Sequence, residues 1–291
     1  MAVRVVMGYD GSQEAGTAID VGVSLFPGAH GWITYLWVPP FASDKVRRRL
    51  RSRARDTDEL VALVEQEGER EAQRVVATGV TLAGAAGWDA EPLLKRTWGG
   101  EGWRIAQVAE EVDADLVIVG SRGLGGAKAV LGSVSDLVVH YCARPMVVVP
   151  HPMLSTEHAA LADGPVIVGW DGSAGAEKAL AAAMRLLPDR DLLLVSVDAD
   201  DTVDEPSPVD AEVLGDRKVE RLNVERGRGF SAHACADALL NTARDRDAAV
   251  IAVGSRGRSA ARKILLGSVA MATLHNAERP VMVVPSEWEV P

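Results

Sequence analysis

Residues 251–268, IAVGSRGRSAARKILLGS, run from an apolar segment through glycines and a basic stretch to a final Gly-Ser pair. Residues 118–133, IVGSRGLGGAKAVLGS, repeat this arrangement with one residue fewer before the last glycine. A continuous apolar run that stops at glycine is typical of a strand buried on both faces. Two such strand–loop–helix units predict an α/β fold in which this loop occurs once in each half.

The chain contains an internal repeat of two similar halves. The segment VVMGYDGS (5–12) matches VIVGWDGS (166–173), and the runs MVVVP (146–150) and VMVVP (281–285) close the two copies. A repeat of this size indicates the tandem duplication of a whole domain, because each copy is long enough to bury a core of its own.

Each copy alternates short apolar runs with helical stretches, which predicts a mostly parallel sheet flanked by helices. Weaker runs at Glu91–Lys95 and Val219–Val224 supply a further strand in each copy. The stronger strand predictions are Val3–Met7, Ile33–Val38, Leu116–Val119, Met146–Val149, Val166–Val168, Leu192–Val197, Val250–Val253 and Val281–Val284. The helix predictions are 13–25, 44–77, 101–112 and 133–142, then 174–187, 234–245 and 268–277.

The charge, the cysteine content and the length of the chain limit the classes of protein to which it can belong. A formal net charge of −10 argues against a nucleic-acid partner, because such partners select basic faces. We expect neither a secretory leader nor a membrane span. Cys142 and Cys235 form no disulfide framework, and we expect a cytoplasmic protein. The 291 residues accommodate two domains, which we place at 1–152 and 163–291.

The glycine-rich loop carries residue types that hold phosphate. Glycine lets an anion approach the backbone closely, and the N–H groups of a helix start attract negative charge. Ser268 stands where an N-cap is expected, and Ser133 with Asp136 predicts a capping box. Arg122 and Arg256 add a guanidinium to each loop. A glycine turn without a ligand is the alternative, and neither a Walker loop nor a dinucleotide fingerprint is present.

In these motifs both copies resemble the universal stress protein family, whose ATP-binding members carry G-x2-G-x9-G-[ST] after the fourth strand. The second copy matches this spacing, whereas the first has G-x8-G-S. The resemblance implies two tandem doubly wound domains, each with a five-stranded parallel sheet in the order 3-2-1-4-5. Ligands in such sheets lie where the strand order reverses. The acidic stretch 198–216 replaces the second helix of the second domain, which we expect to be shortened or missing.

The resemblance also assigns roles to single residues. Asp10 and Asp171 would hydrogen-bond the nucleoside, with an Asx turn as the alternative for each. Val38 and Val197, which end the second strand of each copy, would offer backbone to adenine. The glycine-rich loops would hold phosphates, and the full spacing favours the second copy. The nucleotide-binding candidates are Gly8, Asp10, Val38, Gly120, Ser121, Arg122, Gly123, Gly132, Ser133, Gly169, Asp171, Val197, Gly254, Ser255, Arg256, Gly257, Gly267 and Ser268.

The resulting hypothesis is a stress-response regulatory protein that binds ATP, with or without Mg²⁺. Two alternatives stay open: a slow ATPase, and a nucleotide-free scaffold, which the shorter first loop favours. For hydrolysis, only Arg122, Arg256, Lys128 and Lys263 are candidates for the transition-state cation. We expect no resident metal site and no catalytic residues. The last strands are expected to pair the two domains within the chain, and whole chains to form a homodimer.

Overall fold

The structure, a computed structural model, describes residues 2–38, 44–121, 132–198, 219–225, 231–257 and 266–290. Strands and helices alternate in both halves of the chain. The strands are β1 Arg4–Gly8, β2 His30–Trp37, β3 Asp89–Arg96, β4 Leu116–Gly120, β5 Met146–Val149, β6 Val166–Gly169, β7 Leu192–Asp198, β8 Val219–Glu225, β9 Val250–Gly254 and β10 Val281–Val284. The helices are α1 Gln13–Leu25, α2 Asp44–Arg51, α3 Thr57–Ala86, α4 Glu101–Glu111, α5 Ser133–Tyr141, α6 Ser155–Ala160, α7 Ala174–Leu186, α8 Ser231–Asp245 and α9 Ser268–Asn276.

The described strands form one sheet in the order β3-β2-β1-β4-β5-β10-β9-β6-β7-β8. Each half therefore has the expected order 3-2-1-4-5, and neighbouring strands within a half run parallel. The predicted strands are all confirmed, including the two weak runs, which become β3 and β8. The strand order reverses between β1 and β4 and again between β6 and β9. These two reversals are the switch points at which ligands of open α/β sheets bind.

The two halves join edge to edge through β5 and β10, which pair antiparallel; we call this junction the seam. Val147 faces Met282, and both occupy the second position of their strands. The pairing is therefore self-complementary, as across the two-fold axis of an isologous dimer. The predicted pairing of the two last strands within the chain is confirmed, and it leaves neither strand as an open edge.

Apolar side chains cover both faces of the sheet. Met146 and Val148 of β5 belong to one buried layer, whereas Val147 and Val149 belong to the other, and both layers continue across the seam. This division explains why the strands are continuous apolar runs, since successive side chains point to opposite faces and both faces are covered by helices. Among the described residues, no helix is long and apolar enough to cross a bilayer.

Two helical features differ from the predictions. The helix predicted at 44–77 is two helices, because Asp56 accepts a hydrogen bond from the Glu59 N–H at 2.8 Å and caps a new helix. In addition, the short helix α6 occupies the linker between the halves. The segment 199–218, which contains most of the stretch expected to replace the second helix of the second half, lies outside the described residues.

A buried carboxylate ties the halves together beside the seam. The Asp115 side chain is 7% exposed and accepts from Arg4 Nε at 3.2 Å and from Arg185 Nη2, across the seam, at 2.9 Å. Burial by itself would raise the pKa of Asp115, but the hydrogen bonds from Arg4 and the charges of Arg4 and Arg185 hold it below its ordinary value. The carboxylate is therefore ionised in the folded protein at neutral pH.

Candidate functional site

The fold brings most of the predicted residues to the two switch points. Gly8 and Gly120 end β1 and β4 of the first half, and Gly169 and Gly254 end β6 and β9 of the second. Within each half the carboxyl ends of the two strands lie side by side, so the loops that follow them are neighbours. Because the seam is antiparallel, the two switch points lie at opposite ends of the strands. Arg122 and Gly123 lie outside the described residues.

Asp10 and Asp171 both make the Asx turn that was the alternative to ligand binding. Oδ1 of Asp10 accepts from the Ser12 N–H at 2.9 Å, and Oδ1 of Asp171 accepts from the Ser173 N–H at 3.0 Å. Each serine then caps the following helix through its own hydroxyl oxygen. The turn uses only one oxygen of each carboxylate, so it does not replace a role toward a ligand.

In the second half, the loop after β9 packs on the start of α7. A Cβ on Gly254 would lie 2.5 Å from the backbone carbonyl of Gly175, and a Cβ on Gly175 would collide with the carbonyl oxygen of Arg256. A Cβ on Gly257 would lie 2.9 Å from Oδ2 of Asp171. Glycine is therefore required here by close approach, and the loop and the aspartate that the sequence predicts as partners lie side by side.

The helices after the two loops begin at the predicted residues, 133 and 268, but their N-caps differ from the prediction. Gly132 and Gly267 are the N-caps of α5 and α9, in extended backbone with φ of −69° and −62°. Ser133 and Ser268 are the first helical residues, so the predictions of a serine N-cap and of a capping box with Asp136 are wrong. Neither helix has a side-chain capping hydrogen bond. Within the described ranges, no side chain accepts from the first-turn N–H groups at these caps, and free N–H groups at a helix start favour an anion.

Both loops close in the same way despite their different lengths. The Gly132 N–H donates to the Ser121 carbonyl, and the Gly267 N–H donates to the Ser255 carbonyl, both at 2.7 Å. These N–H groups are thus engaged, and the donors left for a ligand are those that follow, beginning with Ser268. In the first half Ser135 also donates its hydroxyl to the Gly120 carbonyl at 2.6 Å.

The two valines predicted to contact adenine are not equivalent. Val38 follows the last residue of β2 and is 46% exposed. Val197 lies inside β7, which continues to Asp198. The registers pair Gly8 with Thr34 and Gly169 with Val195, so Val197 corresponds to Leu36. The assumed equivalence of Val38 and Val197 is wrong by this register.

Tyr35 is a neighbour of the first site that the sequence reasoning missed. Burial raises the pKa of its hydroxyl, and the negative charges of Asp10 and Glu71 raise it further. Tyr9 has its pKa raised for the same two kinds of reason, burial and Asp10. Both hydroxyls are therefore neutral and able to donate. The register pairs Thr34 with Gly8 at the end of β1, and Tyr35 is the residue that follows Thr34.

Known proteins resemble both halves of the chain in sequence. The profile of the universal stress protein family matches residues 1–150 and 164–285. Universal stress protein Rv2005c of Mycobacterium tuberculosis is 31% identical over 233 residues, which cover 74% of this chain and 77% of that protein. A universal stress protein of Mycolicibacterium smegmatis is 33% identical over 186 residues, 59% of this chain, which spans 62% of that relative's length.

A solved structure shares the architecture of the whole chain. A universal stress protein from Archaeoglobus fulgidus superposes with a TM-score of 0.64 at 22% identity, covering 97% of this chain and 95% of its own. At that identity the likeness concerns the fold alone. It nevertheless includes both halves, because the coverage is nearly complete in both chains.

Proposed function

The chain belongs to the universal stress protein family, and we propose that it is a regulatory protein of the stress response that binds adenine nucleotide, with ATP as its ligand. The nucleotide would lie at the switch points between β1 and β4 and between β6 and β9. Mg²⁺ would accompany the triphosphate as part of the ligand. The fold and the family support this proposal, and the geometry of the second site carries it furthest.

The observation that carries the proposal is the convergence of three separate segments. A Cβ on Gly267 would lie 3.2 Å from the Ser255 carbonyl oxygen and 3.8 Å from the Gly257 nitrogen, and Gly257 in turn adjoins Asp171. The start of α9, the glycine-rich loop and the aspartate after β6 therefore surround one place. Helix-start donors suit phosphate, and a carboxylate suits the hydroxyls of ribose.

The first site has a matching frame. Gly132 caps α5 as Gly267 caps α9, and Asp10 occupies the turn that Asp171 occupies. The shorter first loop differs within 122–131, which lies outside the described residues. We propose one nucleotide per domain, with domains at 1–152 and 163–291, and expect a cytoplasmic location and pairing of whole chains.

Gly267→Asp tests the second site without removing structure. An aspartate N-cap accepts from the first-turn N–H groups and stabilises a helix slightly better than glycine does, which offsets the tight contact of its Cβ with the Ser255 carbonyl oxygen at 3.2 Å. We therefore expect the free energy of unfolding to change by less than about 1 kcal/mol. The same carboxylate takes the donors and repels phosphate. Affinity for ATP at this site should fall at least about 30-fold, equal to about 2 kcal/mol.

The measurement is isothermal titration with ATP, using Gly267→Asn as the matched control. Asparagine caps in the same way without a charge, so its loss of affinity should be clearly smaller. Equal affinities of the wild type and Gly267→Asp would refute the assignment of phosphate to α9. Phosphate release followed in the same samples separates a binding protein from a slow ATPase, and a wild type that binds no ATP favours the scaffold.

A further inference from the structure

Two open pockets lie at the seam, one against each glycine-rich loop. The first has a volume of about 110 Å³ and is lined by His140 and Tyr141 at the end of α5 and by Ser255 and Arg256 of the second loop. Cys142 also lines it, but burial raises the pKa of this thiol to about 11, so it is a neutral wall at physiological pH. The loop of one domain thus meets the last helix of the other.

The second pocket repeats this arrangement with the domains exchanged. It has a volume of about 60 Å³ and is lined by Ser121 of the first loop and by Leu274 and His275 at the end of α9. Ser121 and Ser255 follow equivalent strands, and His140 and His275 lie in the last turns of equivalent helices. The same arrangement of loop and helix end around a pocket therefore occurs twice, related by the pseudo-two-fold axis between Val147 and Met282.

Each of these helices connects one site to the other. The N-terminus of α5 at Gly132 belongs to the first candidate site, and its last turn at His140 faces the loop of the second. The N-terminus of α9 at Gly267 belongs to the second site, and its last turn at His275 faces the loop of the first. A nine-residue helix is only about 13 Å long, so displacement at one end is transmitted to the other.

The second glycine-rich loop lies between the candidate site of its own domain and the seam. On one side Gly257 adjoins Asp171, where a nucleotide would lie. On the other side Ser255 lines the seam pocket, and its hydroxyl oxygen accepts from the Ser286 N–H at 3.0 Å. A ligand that moves this loop changes the shape of the seam pocket. The last turn of α5 lines the same pocket, so its surroundings change as well.

A hydrogen bond within α5 fixes the ring of His140. Its Nδ1 lies 2.7 Å from the Asp136 carbonyl oxygen, which only accepts, so Nδ1 carries the hydrogen. The ring therefore follows the last turn of α5, and a small shift of the helix alters what faces Ser255 and Arg256.

We propose that the two nucleotide sites are coupled through α5 and α9, so that occupation of one site changes the affinity of the other. This inference rests on the proposed function and adds its regulation. Coupling of this kind typically changes affinity by about fivefold or more, and the effect is reciprocal. Along this path His140 and the second loop line one pocket, and His275 and the first loop line the other.

Hydrogen exchange of the full chain tests the coupling. Gly132→Asp blocks the first site, so that added ATP binds only in the second domain. We expect ATP to slow exchange both at residues 254–257 and, across the seam, at residues 138–142, where the Cys142 N–H donates to the Val138 carbonyl. His140→Ala should abolish the distant change, whereas His233→Ala, an exposed histidine on α8, should leave it intact.

Titration gives the second readout. The affinity of the second site for ATP should differ about fivefold between the wild type and Gly132→Asp, and His140→Ala should remove this difference. Protection confined to residues of the second domain, with equal affinities, overturns the coupling and leaves the proposed function standing. Absence of any ATP-dependent protection contradicts the proposed function and the coupling with it.

Discussion

Asp171 divides its two carboxylate oxygens between structure and the candidate site. Oδ1 closes the turn that leads into α7, and Oδ2 lies against Gly257 of the opposing loop. The sequence predicts both a turn and a ligand contact for this residue, and the geometry accommodates the two together. The predicted strand order brings Gly257 near Asp171 although the two are distant in the chain, but it does not predict that Oδ2 lies against this glycine.

Asp171→Asn separates the two roles. The amide oxygen still accepts from Ser173, so the free energy of unfolding should change by less than about 0.5 kcal/mol, whereas loss of the charged acceptor should weaken ATP binding about tenfold. Denaturant unfolding and titration measure the two quantities. Asp20→Asn, an exposed change on α1, is the control. If Asp171→Asn bound ATP as tightly as the wild type, the role of Asp171 would be limited to the turn.

At the scale of elements, the strands were predictable because a buried parallel strand is an uninterrupted apolar run. The break between α2 and α3 was harder to predict, since Leu50 and Val61 both suit one continuous amphipathic pattern. The glycine N-caps after the loops were missed because serine is a stronger N-cap than glycine. Here the glycine N-cap instead leaves room at the helix end, next to the Ser255 carbonyl.

Two glycines of α3 offer a matched test of how this helix packs. A Cβ on Gly79 would lie 2.7 Å from Ile33 and 2.8 Å from Tyr9, whereas a Cβ on Gly84 would meet nothing within 4 Å. Gly84→Ala should therefore stabilise the protein by up to about 1 kcal/mol, and Gly79→Ala should destabilise it by about 1–3 kcal/mol. Denaturant midpoints measure both. Stabilisation by both substitutions would contradict the packing of α3 on β2.

At the scale of the whole molecule, the seam makes one sheet from two duplicated halves. The sequence alone supports the pairing of the last strands, because both are short apolar runs that would otherwise remain as edges. It does not reveal the seam pockets or the link between Asp115 and Arg185. Those depend on which residues the antiparallel register places opposite each other, and no local pattern encodes that placement.

The Asp115 cluster predicts how the seam responds to acid. Because the folded-state pKa of Asp115 is lowered, its contribution is present above the unfolded pKa of about 3.9 and is lost as pH falls through the lower folded value. Asp115→Asn should cost about 1–3 kcal/mol at pH 7 and flatten the decline of stability below about pH 4. Unfolding curves at pH 7, 4 and 3 measure this, with the exposed Asp189→Asn as control. If the stability of Asp115→Asn declined below pH 4 as steeply as that of the wild type, Asp115 would not cause the acid response.

The most direct measurement is a crystal structure of the full chain grown with ATP. The account predicts triphosphate oxygens within about 3 Å of the main-chain nitrogens of Gly257 and Ser268, and ribose hydroxyls on the carboxylate of Asp171. Gly267 should keep its hydrogen bond to Ser255, since that bond closes the loop. A nucleotide bound elsewhere, or a crevice between β6 and β9 that stays closed by the loop at saturating ATP, would contradict it.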